Sequence, residues 1–108
     1  MESPYRLMQQ LEAQIRARLS DIDIYDLEMD VRKLVLALRN QATDARLDIR
    51  DYELSETRQL QIEKATAARG RLKQLEKDIL TASEHNIFSS IDVAHLSANV
   101  EYILEKLL

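Results

Sequence analysis

Apolar residues recur every three or four positions along nearly the whole chain, and the places where that rhythm slips divide it into four helices. Met8, Leu11, Ile15 and Leu19 form the first stripe, leaving Glu12, Arg16 and Arg18 largely outside it. Ser3-Pro4 suits its start, since a serine oxygen can accept from a free backbone N–H and proline at the first helical position loses no hydrogen bond. Ser20 and Asp23 have the spacing of a capping box, and Asp21, Asp23 and Asp26 suit the positive end of a helix dipole. A second, long helix is therefore expected from Asp21, carrying Ile24, Leu27, Val31, Leu34, Leu38, Ala42, Ala45, Ile49 and Tyr52. A third series, Ala65, Ala68, Leu72, Leu75, Ile79 and Ala82, is out of phase with it, because a straight continuation would place the stripe on Gln74 and Lys77. The slip puts a break near Leu54-Ser55-Glu56, with Ser55 as a cap, while Gly70 lies inside the third helix without disturbing its phase.

Asn86 tolerates the left-handed conformation of a helix end, and His85 suits the negative end of a dipole. Ser89 and Asp92 restart the chain with capping-box spacing, and Val93, Leu96, Val100, Ile103 and Leu107 make the fourth stripe. The predicted helices span about 4–19, 21–53, 56–84 and 90–107 in a single domain, 1–108.

Folded about residue 55, the second and third stripes match by size: Ala45 meets Ala65, Ala42 meets Ala68, Leu38 meets Leu72, Leu34 meets Leu75 and Val31 meets Ile79. Successive helices joined by a short loop pack antiparallel, so the mirror predicts a helical hairpin. An antiparallel dimer of one unbroken helix satisfies the same mirror, and only the slip between Tyr52 and Gln61 separates the two arrangements. The short outer helices join the hairpin at its end far from residue 55, where Leu34 to Leu38 is apolar on nearly every side, and they are expected to pack there. The fold class is all-α: an antiparallel four-helix bundle whose long central hairpin projects as a coiled-coil-like tip with an alanine seam. Small residues from Ala65 to Gly70 also suit close approach of another backbone.

Composition agrees with helix throughout. The 108 residues include one glycine, one proline and no cysteine, which excludes disulfides, thiolate metal sites and thiol nucleophiles. Met1 to Arg6 lacks the basic start of a secretory leader, and no run approaches membrane-spanning length, so the expected location is the cytoplasm with no membrane insertion. A formal net charge of −4 weighs mildly against a chain built mainly to hold nucleic acid.

Candidate chemistry is sparse. Of the two histidines only His95 has a helical acidic neighbour, Asp92, whereas carboxylate-bridged metal sites in bundles need two such pairs and further inward acids. Asp44, Asp48 and Asp51 share a face but alternate with Arg46 and Arg50, as a solvated surface does. No nucleophile elbow or phosphate loop occurs, so no enzyme activity, cofactor or metal is expected.

A basic belt of Arg39, Arg69, Arg71, Lys73 and Lys77 at mid-hairpin raises nucleic-acid binding as an alternative, although Glu101 and Glu105 are placed to neutralise Lys73 and Arg69. The leading expectation is a non-enzymatic adaptor or assembly factor, chaperone-like in mode. It would form a homodimer or bind an unidentified protein through Ala45, Ile49, Tyr52, Leu54, Leu60 and Ile62 at the hairpin tip.

Overall fold

Three of the four helices begin where a hydroxyl side chain captures a backbone N–H left free by the first turn. A computed structural model describes residues 2–107, with α1 at Pro4–Leu19, a 3-10 turn at Ile24–Asp26, α2 at Met29–Leu54, α3 at Arg58–Glu84 and α4 at Ser90–Lys106. The Ser3, Thr57 and Ser89 oxygens accept from Arg6, Leu60 and Asp92 N–H, starting α1, α3 and α4. At the end of α3, Asn86 takes a φ of 61°. There Ile87 N–H reaches the Ala82 carbonyl and Asn86 N–H the Ser83 carbonyl, a left-handed C-terminal closure of the Schellman type.

The second helix starts at Met29, not Asp21. Asp23 accepts from Tyr25 N–H, which holds the backbone in a tight turn. The Arg32 guanidinium then takes the carbonyls of Ile24, Tyr25 and Leu27 at 2.9, 3.3 and 3.4 Å. Ser20 caps no helix, because its hydroxyl donates back to the Ala17 carbonyl and closes α1. Ser55 behaves likewise, donating to the Asp51 carbonyl at 2.6 Å, so the cap of α3 is Thr57. The break that the phase slip predicts is real: residues 55–57 join α2 to α3 as a hairpin within one chain.

Each helix packs on its two neighbours in cyclic order, α1 on α2, α2 on α3, α3 on α4 and α4 on α1. Among the described residues there is no strand, and no helix is long and apolar enough to cross a membrane. The four stripes meet in one buried cluster containing the residues that the periodicity selects: Met8, Leu11, Ile15 and Leu19 from α1, Leu38 to Ile49 from α2, Ala65 to Ala82 from α3, and Leu96, Val100 and Ile103 from α4.

The position of α1 along the hairpin differs from expectation. It lies beside the half of α2 nearest the turn: Tyr5 N–H donates to Glu53, Glu12 meets Arg46, and the Leu19 carbonyl meets Arg39. Residues 20–28 then run back along α2 to reach its start. The alanine seam is thus the floor on which α1 rests, and small residues there leave room for Met8, Leu11 and Ile15. Ala45, Ile49 and Ala65 are at most 1% exposed in the single chain, so the hairpin is not a bare two-helix prong.

On the other side α4 ends beside Arg69, leaving the first turns of α3 without that neighbour. The molecule measures 46 × 24 × 19 Å, and at about 1.5 Å per residue α3 alone runs nearly its full length. Gly70 allows no close approach of backbone, since a Cβ built there meets nothing within 4 Å.

Candidate protein-interaction surface

Residues 51–64, which form the hairpin end, are all exposed or half-buried. Leu54 is 70% exposed, Leu60 and Ile62 nearly half exposed, and Tyr52 packs partly against the core. Of the six residues expected to form a binding surface, Ala45 and Ile49 are therefore withdrawn into the bundle, because α1 covers the seam that they occupy. Leu54, Leu60 and Ile62 remain at the surface within about two turns of the connection, with Tyr52 half-buried beside them. Their surroundings carry both signs of charge. Asp51 pairs with Lys64 at 3.8 Å and with Arg50 at 3.4 Å, while Glu56, Arg58 and Glu63 are exposed.

The basic belt is drawn largely into the fold. Arg39 donates to the Leu19 carbonyl and Arg69 to the Leu107 carbonyl at 2.6 Å, so each satisfies the last turn of a neighbouring helix. Arg71 bridges Asp48 at 2.6 Å and Asp44 at 3.5 Å. Lys73 and Lys77 form no ion pair among the described residues. The row Asp44, Asp48, Asp51 is correspondingly an ion-pair ladder joining α2 to α3. No protein family, curated protein or solved structure matches this chain. The functional reading rests on the molecule's own surfaces.

Glu101 does not neutralise Lys73. It faces Glu76 across the α3–α4 contact, and partial burial together with the adjoining carboxylate pushes the Glu76 pKa up. Asp92 is held by Arg18 at 2.9 Å, and the hydrogen bond from that guanidinium, with a smaller contribution from Ser89, holds its carboxyl below the usual range. It is thereby committed to joining α1 and α4, not to serving His95. Among the described residues no three His, Asp or Glu side chains gather as metal ligands would.

Between α1 and α4 lies a cleft of about 60 Å³, lined by Leu7, Gln10, Gln14, Asn99 and Tyr102, with Gln14 accepting from Asn99 at 2.8 Å. That volume suits about two waters, against some 300 Å³ or more for a typical ligand pocket.

Two features escape a reading by helical period. Glu12 accepts from Thr43 and from Arg46, both at 2.8 Å, with its side chain only 13% exposed, and so ties α1 to the middle of α2. Arg32, which lies outside the apolar stripe, organises the connection that precedes α2. Both depend on partners in other segments, and neither has a spacing signature.

Proposed function

We propose that the protein is a non-enzymatic, cytoplasmic helical adaptor or assembly factor, chaperone-like in mode, in which two copies associate through the hairpin end. The observation that supports this is the exposure of Leu54, Leu60 and Ile62 around the 55–57 connection. Exposed apolar side chains close together mark a contact surface, and these three flank one connection, whereas Tyr25, Met29, Leu36, Leu80, Ile91 and Tyr102 are exposed away from it. Mixed charge around them favours a second copy, because a two-fold axis sets an acid such as Glu56 of one protomer against a base such as Arg58 of the other. The small apolar area makes the association reversible and concentration-dependent.

Light scattering over a dilution series tests the reading. The wild-type mass should rise from one protomer toward two as concentration increases, whereas Leu54→Asp with Ile62→Asp should stay monomeric with helicity unchanged. A wild type that is monomeric at every concentration, or a double variant that associates equally well, would refute it. Nucleic-acid binding draws support only from Lys73 and Lys77, the two belt residues whose side chains form neither a hydrogen bond nor an ion pair among the described residues. It predicts salt-sensitive retention of DNA or RNA that Lys73→Glu with Lys77→Glu abolishes.

A further inference from the structure

Three of the four tyrosines, Tyr5, Tyr52 and Tyr102, are built into α1, α2 and α4. Tyr25 alone lies outside an α-helix, in the 3-10 turn, and at 78% it is the most exposed large hydrophobic side chain among the described residues. An enzyme that modifies a tyrosine hydroxyl draws the surrounding backbone into its cleft in extended form, and a residue inside an α-helix can comply only after its ladder is broken. Around Tyr25 no α-helical ladder has to break. Asp23, Leu27 and Glu28 are already extended, and none of Ile24–Asp26 is buried. Two backbone bonds close the turn, Asp26 N–H to the Asp23 carbonyl and Leu27 N–H to the Ile24 carbonyl, and side-chain contacts from Asp23 and Arg32 hold it.

The flanks are equally distinctive. Asp21, Asp23, Asp26, Glu28 and Asp30 surround Tyr25, and the first cations that follow it are Arg32 and Lys33. Such a segment complements a basic substrate groove. Arg32 also touches the tyrosine itself: its guanidinium lies 5.5 Å from the ring centroid while donating to the Ile24, Tyr25 and Leu27 carbonyls.

We propose that Tyr25 is the phosphoacceptor for a tyrosine kinase with a basic substrate groove, and that the added phosphate draws Arg32 off the loop carbonyls. In the transfer, the Tyr25 hydroxyl oxygen bonds to the γ-phosphorus of Mg-ATP and the bond to the β,γ-bridging oxygen breaks. ADP departs with that electron pair, and the phenolic proton passes to the kinase's base. The product carries about −1.5 to −2 charges amid five carboxylates, which leaves Arg32 as the cation already at the ring. A bidentate arginine–phosphate pair joins two full charges, whereas the loop carbonyls are neutral acceptors, so the guanidinium exchanges its carbonyl partners for the phosphate. The turn that those carbonyls held then loosens, and with it the connection between α1 and α2.

The test uses the full chain, a purified tyrosine kinase domain that prefers acidic substrates, and Mg-ATP. Mass spectrometry should find a single phosphate on Tyr25, with none taken up by Tyr25→Phe. Hydrogen exchange at the Asp26 and Leu27 amides should then quicken roughly tenfold, as loss of the Arg32 contacts implies. Arg32→Gln should reproduce that faster exchange without phosphate and show no further gain with it. Phosphate on Tyr5, Tyr52 or Tyr102, or none on the folded chain, would overturn the site. Phosphorylated protein with unchanged exchange would overturn the role given to Arg32.

Discussion

Replacing Ile49 by alanine asks whether the hairpin end belongs to the core of one chain. Ile49 is 0% exposed, and it shares the buried cluster with Ala45, one turn before it on α2, and with Ala65, both too short to fill the space it would leave. Isoleucine-to-alanine changes at such sites cost about 2–5 kcal/mol, and the flexible Met8 and half-buried Tyr52 can recover part of it, so about 3 kcal/mol is expected. With a urea dependence of about 1–2 kcal/mol per molar, the midpoint should fall by roughly 1.5–3 M, and the melting temperature by at least about 10 °C. Urea titration followed by far-ultraviolet circular dichroism measures this directly. Leu54→Ala is the internal control: one turn further along α2 and 70% exposed, it should change stability by no more than about 0.5 kcal/mol. Equal midpoints for the two variants would mean that α1 does not cover the seam, and the packing described for that half of the bundle would fail.

Gly70→Ala should stabilise the chain by about 1 kcal/mol, because the position is mid-helix, has no positive φ and leaves open space for the new methyl; a lowered urea midpoint would contradict this. Glu76 has a folded pKa above its ordinary 4.5, so the folded state gains stability as pH falls through that raised value, a gain complete below 4.5. Glu76→Gln should accordingly be more stable than wild type at neutral pH and lose that dependence in mild acid, as urea midpoints across a pH series would reveal. Asp92 has the opposite sign: with its pKa depressed by Arg18, its contribution is present above 3.8 and lost as pH falls through the folded value. Asp92→Asn should flatten stability over that acid range, and an unchanged profile would remove the Arg18 pairing from the account.

The local pattern was enough to identify the helical faces. Stripes at three-four spacing named nearly every buried residue, Ser3, Ser89 and Asn86 marked helix ends, and the phase slip after Tyr52 located the turn at 55–57. Such signals are legible because each depends on neighbours within one or two turns. The acidic run after Ser20 misled for the same reason: it carries a helix-start signature, but Arg32, several residues on, takes the carbonyls that a helix would have used.

Tertiary structure alone decided the axial position of α1. A helix that slides along its neighbour keeps the same face inward, so periodicity is blind to the offset. At that offset Glu12 meets Thr43 and Arg46, Tyr5 N–H meets Glu53, and Met8, Leu11 and Ile15 join the same core as the alanine seam. The offset turned Ala45 and Ile49 from expected surface into core and narrowed the candidate contact site to the few side chains nearest the turn.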